Sequence, residues 1–219
     1  RAAMETLARL HPRYARDVHA FVQTDPARPY RLALDVARIQ ETRLPVVLAV
    51  LHDRGGGTLR HVRELATHLA DQAQFLILSP APEHCVMLRM ADEREGFTLT
   101  FRLADQFDDL LDVLRALGVC HVHYHHLLGH GQQVCDLPAL LDVPYDFTAH
   151  DFYSYCTHIS MTGNDGRFAG EPALGQCNCC TPDMHAPAES GTARTVAEWR
   201  EANARLLNGA RQVFAPSHD

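Results

Sequence analysis

Pro45-Val46-Val47-Leu48-Ala49-Val50-Leu51, then within a few residues Gly55-Gly56-Gly57-Thr58, is the stretch whose reading decides the fold. The first part is apolar without alternation, as expected of a strand buried on both faces of a parallel sheet. Behind the glycines, Leu59, Val62, Leu65, Ala66 and Leu69 fall on one face of a helix. Strand, glycine turn and helix open a βαβ unit, and the chain then repeats the alternation. Residues 75–78 read as a second buried strand. Cys85–Met90 and residues 97–103 read as two more, joined by a hairpin turn at Glu93-Arg94-Glu95-Gly96. Helix is expected at 107–117, strand at Val119–Tyr124, a short helix at 127–137 and strand at Tyr145–Thr148. The prediction is an α/β domain over 45–219, a mostly parallel sheet flanked by helices, with the strand at 45–51 in its centre.

Upstream, residues 1–44 form a segment of their own. Helical pattern at Ala2–Leu10, 14–22 and 30–39 is broken by Pro12, Asp25-Pro26 and Arg28-Pro29. This reads as a helical extension or linker, and a chain that starts at Arg1 with Met only at position 4 reads as a piece of a longer protein. Downstream, residues 150–190 lose all periodicity, which in a compact domain marks a functional or disordered loop. Order resumes at Thr195-Val196-Ala197-Glu198, a capping box opening a helix that presents Val196, Trp199, Leu206 and Leu207 inward and stops at Asn208-Gly209. A last short strand is expected at 213–215.

Composition excludes several classes. With 219 residues and a 46% hydrophobic share, the chain has enough apolar material for a packed core. Its 20 Lys and Arg against 27 Asp and Glu give a formal charge of −7, which disfavours a nucleic-acid partner. No apolar run reaches the roughly 18 to 20 residues of a spanning helix, and the first ten residues lack a signal-peptide core. A cytoplasmic setting is expected. Seven cysteines, an odd number unevenly placed, point to buried thiols or metal ligands. Cys85, Cys120 and Cys135 are expected to be core fillers.

Two stretches carry chemistry. Gly55, Gly56 and Gly57 end a buried strand and begin a helix, where backbone N–H groups and the positive helix end can face an anion. No Gly-Lys-Ser/Thr follows, and Arg60 stands where a dinucleotide fingerprint needs its third glycine. A turn that needs glycine for conformation alone is the plainer reading. The second stretch is histidine-rich: of 15 histidines, six lie between His121 and His150. His121 and His123 share one strand face, opposite Val122 and Tyr124. His125, His126 and His150 are placed to surround a cleft at the rim that also holds the glycines. His121 and His130 read as non-ligating.

At His150-Asp151-Phe152-Tyr153 these motifs, in order, resemble the N-terminal, acceptor-side domain of a family 4 glycosyltransferase. Gly55-Gly56-Gly57-Thr58 with His61-Val62 and Leu65-Ala66, His121-Val122-His123, Val143-Pro144 through Thr148-Ala149-His150-Asp151, and Phe214-Ala215-Pro216-Ser217 carry the likeness. It covers about residues 45–219. The resemblance implies one Rossmann-like half of a GT-B enzyme, a retaining transfer from a nucleotide-sugar donor to a glycan, lipid-linked or small-molecule acceptor, and no metal for the transfer itself. It implies His150 as the catalytic residue. Gly55, Gly56, Gly57, His123, His126, Asp151 and Tyr153 become the substrate-binding set. A nucleotide-binding C-terminal domain is expected beyond Asp219, leaving this chain inactive alone. Peripheral membrane contact is compatible with a lipid-linked acceptor.

Cys177-Asn178-Cys179-Cys180 contains one Cys-x-x-Cys pair, a bite that suits tetrahedral zinc. Cys156, Cys177 and Cys180, with His158 or Cys179 completing, form the candidate structural zinc site; free thiols in a loop are the plainer account. The subgroup resembled carries a further cysteine where this chain has Ala169. Two other readings stand beside the transferase: a non-catalytic sugar-nucleotide or zinc-binding module of the same fold, and a metal-dependent hydrolase built on histidines near His150.

Overall fold

Seven strands lie side by side in the order β4-β3-β2-β1-β5-β6-β7. The computed structural model describes residues 2–92, 97–163, 165–180 and 195–215, with the backbone alone for 2, 23 and 178–180. The hairpin turn expected at 93–96 and Pro216-Ser217 lie outside the described residues. Two compact units divide the chain, Arg1–Thr42 and Arg43–Asp219.

The first unit holds α1 (Ala2–Leu10), α2 (Tyr14–Thr24) and α3 (Arg28–Glu41). Asp25 ends α2 in the left-handed region at φ 37°, and its N–H bonds Phe21 O. Pro29 lies in the first turn of α3, where no intrahelical N–H is lost. Arg31 pairs with Asp25 across that corner.

In the second unit, β1 (Val46–Val50) is the fourth of the seven strands and pairs in parallel with β2 (Gln74–Ala81) on one side and β5 (Val119–Tyr124) on the other. Leu48, Ala49 and Val50 have no exposed surface. A strand with nothing polar to show water lowers the free energy most where sheet covers both edges and helices both faces. Beyond β5, β6 (Tyr145–Thr148) and β7 (Val213–Phe214) continue the parallel array. At the other end β3 (Cys85–Met90) and β4 (Thr98–Arg102) fold back antiparallel. The sheet is thus mostly parallel and flanked by helices, consistent with a Rossmann-like fold.

The glycine turn feeds α4 (Gly56–His68), whose Val62 is buried among Ala49, Leu51, Phe75, Ile77 and Ala91, with Leu59, Leu65, Ala66 and Leu69 packed around them. These are the residues of the apolar stripe read from the sequence. The helix α5 (Phe107–Ala116) buries Leu110, Leu111, Val113 and Leu114.

Three expectations need correction. The helix at 127–137 starts later: a 3-10 turn at Gln132–Asp136 leads into α6 (Leu137–Leu141). Gly129 prevents an earlier start, because it sits at φ +84° with Pro80 Cγ only 2.9 Å from where a Cβ would be. Pro138 then fits the first turn of α6. The aperiodic 150–190 region contains a short helix, α7 (Leu174–Cys180). Cys85 and Cys135 are only half-buried and Cys120 is exposed, because strand alternation turns Cys120 away from the core that its neighbour Val119 enters. The last helix, α8 (Val196–Gly209), has the full capping box of Thr195 and Glu198. None of the described helices is long and apolar enough to cross a membrane.

Because Leu48 is wholly buried in the central strand, Leu48→Ala should lower the unfolding free energy by about 3 kcal/mol. Urea denaturation measures this; a loss below about 1 kcal/mol would place the stability elsewhere.

Candidate functional site

Order reversal positions the site. From β1 the chain passes to β2 on one side and later returns to β5 on the other. At such a switch point the loops leave in opposite directions and a crevice opens at the carboxyl ends of the strands. The loop after β1 carries the three glycines there. Gly55 and Gly56 adopt φ +68° and +74°, which side chains rarely tolerate, so conformation explains both. Gly57 is different: its φ is ordinary, and no atom lies within 4 Å of a Cβ built on it. Neither turn geometry nor internal packing requires a glycine at 57, although it costs helix stability. No side chain caps the helix at Gly55, so its first N–H groups are left to other partners.

Opposite stand the histidines. The N–H of His125 reaches past the end of β5 to Val50 O at 2.8 Å, and that of His126 to the same oxygen at 3.2 Å. Thereby His125 is locked against β1. Its Nδ1 lies 3.1 Å from His150 Nε2, directly after β6. From the second turn of α4, His61 brings its ring edge-on to both, at 5.5 Å from His125 and 5.2 Å from His150 between centroids. Thus His150 sits against the helix that the glycine loop opens. Within the strand, His123 Nε2 bonds Thr148 Oγ1 at 2.8 Å. The two histidines read as non-ligating have other neighbours: His121 Nε2 is 3.0 Å from Asp146 Oδ2, and His130 Nε2 bonds Leu51 O at 2.9 Å.

A second group fixes the loop after β6. His126 Nδ1 accepts the Leu128 N–H at 3.0 Å, which leaves Nε2 to donate to Asp151 Oδ2 at 3.1 Å. The other Asp151 oxygen accepts the Tyr153 N–H at 2.8 Å. The Tyr153 ring lies between His126 and Trp199, 4.5 and 4.9 Å away. From α8, Trp199 Nε1 donates to Tyr153 O at 2.9 Å, and Arg200 donates to Tyr155 O at 3.0 Å while lying over its ring. Of the expected binding residues, His126 and Asp151 are therefore engaged with each other, and Tyr153 forms part of the wall.

Beside this wall, Cys156, His158, Ala169, Cys177 and Arg200 line a small cavity. His158 Nδ1 contacts Thr162 O at 2.6 Å while its Nε2 is buried without a hydrogen-bond partner. The Cys177 thiol lies 3.6 Å from Pro172 O and 3.7 Å from the Arg200 guanidinium. The side chains of Cys179 and Cys180 lie outside the described residues.

Burial controls protonation here. The imidazole of His150 is drawn down to about 4, chiefly by desolvation and then by His61, against the pull of Asp151. Burial likewise takes His123 to about 4, with Asp146 opposing. Well below its ordinary range lies His125, through burial and then His123, His150 and His61. Burial works against the Asp151 carboxylate, but the His126 and Tyr153 hydrogen bonds outweigh it and hold the carboxyl below its usual value. His123, His125 and His150 are therefore neutral imidazoles at pH 7, each able to donate one hydrogen bond and accept another.

His61 is the residue that sequence reasoning left out of the site, having noted it only as part of the glycine-loop motif. The available signal was its spacing, one helical turn beyond Gly57, on a helix whose first turn abuts the rim. Among the described residues, His61, His125 and His150 are the one group of three His, Cys, Asp or Glu whose potential ligand atoms all lie within 4.8 Å of one another. No protein-family model matches the chain, and no curated protein or solved structure matches it.

Gly57→Ala should leave stability unchanged or raise it by about 0.5 kcal/mol, since the backbone is helical and the space open. A loss above about 1 kcal/mol in urea denaturation would show that packing needs the glycine. The acid limb is a second test. His130 is held at about 4 by burial, against an ordinary 6.5; His123 and His150 add to it. A lowered imidazole value means the unfolded chain binds the proton first, so stability present above pH 6.5 is lost as pH falls toward 4. Melting temperatures should be level above pH 7.5 and drop between pH 6.5 and 5; a flat profile would contradict the burial of these rings.

Proposed function

We propose that this chain is the acceptor-side half of a retaining glycosyltransferase, which moves a sugar from a nucleotide-sugar donor to a glycan or lipid-linked acceptor. The observation that carries the reading is that His150, beyond the end of β6, lies against His61 of the helix that Gly55–Gly57 opens, at the switch point of the sheet. Nucleotide-base contacts are assigned, on this reading, to a second Rossmann-like half not contained in this chain. Free thiols at Cys85 and Cys120 fit a cytoplasmic setting.

In the proposed reaction, the bond between the anomeric carbon and the departing diphosphate oxygen breaks while the acceptor oxygen bonds to the same carbon on the same face. The acceptor's proton leaves with the phosphate. Positive charge grows on the sugar ring and negative charge on the diphosphate. The N–H groups at the start of α4 favour that negative charge, and Gly57 lets the backbone come close. His150 holds a sugar hydroxyl rather than transferring a proton, since its neutral ring is a weak acid and base near pH 7. His123, His126, Asp151 and Tyr153 shape the pocket. Beside it, Cys156, Cys177 and Cys180, with His158 or Cys179 completing, are proposed to hold a zinc that staples the loop; the unpartnered His158 Nε2 supports this, while Ala169 lines the same cavity without a thiolate to give.

The test uses the full-length gene product with uridine- and guanosine-diphosphate sugars and lipid-linked or glycan acceptors. Donor consumption with release of nucleoside diphosphate is expected. His150→Ala should lower kcat by about 100-fold or more while circular dichroism stays unchanged. Near-normal turnover in that variant, or no turnover with any donor, would overturn the reading.

A further inference from the structure

We propose that His61, His125 and His150 form a three-imidazole site for one divalent d-block ion, zinc above all, at the carboxyl rim of the sheet. Three elements supply the ligands: α4 gives His61, the end of β5 gives His125, and the end of β6 gives His150. All three potential ligand atoms lie within 4.8 Å of one another. Tetrahedral zinc at about 2.0 to 2.1 Å from each nitrogen sets the nitrogens about 3.3 Å apart. His125 Nδ1 and His150 Nε2, at 3.1 Å, are already at that separation. His61 has to close by roughly 1.5 Å at most, which a small side-chain rotation supplies on a partly exposed residue.

Two neighbouring histidines show what a merely structural one looks like here. Both nitrogens of His126 are engaged, one by Asp151 and the other by the Leu128 N–H. His123 is tied to Thr148. His125 is nearly fully buried, at 1% relative exposure, and its Nδ1 faces only another imidazole nitrogen, His150 Nε2. Two imidazole nitrogens that face each other share at most one proton, and an ion that takes a lone pair from each matches both. The same ring is pinned by its backbone to Val50 O, so it is a fixed point on which an ion can be held. His61 and His150 are partly exposed and give the ion a path from solvent.

The donor set selects the ion. Three imidazoles with no carboxylate among them suit zinc, cobalt, nickel or copper and offer little to magnesium or calcium. An ion bound there engages His150, the ring that the transferase reading assigns to a sugar hydroxyl. Metal binding and sugar contact then exclude each other, and zinc is an inhibitor of the proposed transfer. The site itself does not rest on that reading.

The experiment titrates the chelator-dialysed chain with zinc by calorimetry and with cobalt by absorption, in a Cys156→Ser, Cys177→Ser, Cys179→Ser, Cys180→Ser background that removes the thiolates of the other candidate zinc site. One equivalent of ion is expected, with the visible bands of tetrahedral cobalt and no sulfur charge-transfer band. His61→Ala, on the partly exposed helix, should weaken binding by about 100-fold or more while circular dichroism is unchanged. His61→Gln serves as a second variant should the alanine unfold the chain. No binding in the serine background, or equal binding by both His61 variants, would overturn the proposal. Neither result depends on sugar nucleotides: a chain without metal affinity whose full-length form transfers sugar removes this site alone, and an inactive full-length protein whose chain binds zinc removes only the transferase.

Discussion

Everything at the rim follows from the burial of one strand. β1 has no polar side chain, so it is stable only between other strands and under helices on both faces. A strand placed in the middle of the sheet leaves the chain two sides to fill, and the sequence fills β2's side first and β5's side second. The crevice is the geometric residue of that order. Helix α4, β5 and β6 then deliver their ends to one place without any of them being shaped for it individually.

Desolvation does the second part of the work. Packed imidazoles lose water and lose the charged form together, and each neutral neighbour removes a source of repulsion that protonation would bring. A row of histidines can therefore be crowded to hydrogen-bond distance, as His125 and His150 are, where lysines or arginines could not be. The cost is borne on the acid side, where the unfolded chain accepts protons that the folded one refuses.

The legible and illegible parts of the chain divide along physical lines. The apolar run at 45–51 and the stripe from Leu59 to Leu69 declare strand and helix because their periodicity records which faces are buried. The position of His150 just past β6 is legible because strand ends in a parallel sheet share an edge. The late start of α6 was hidden, since the positive φ of Gly129 follows from contact with Pro80, a residue far off in sequence. His61 was missed for the same reason: its meaning comes from two side chains more than sixty residues away, which no local pattern encodes. The Asp151–His126 pair shows the limit differently, because residue type suggested ligand binding while geometry uses both groups to hold the loop after β6.

Trp199 and Arg200 reach from α8 to the carbonyls of Tyr153 and Tyr155, and Cys177 of α7 rests against the same arginine. Near the other end of α8, the Tyr145 hydroxyl of β6 donates to Leu206 O at 2.6 Å. Two widely spaced fastenings fix α8 in rotation as well as in position, so the loop after β6 rests on a backing that cannot pivot away from the sheet.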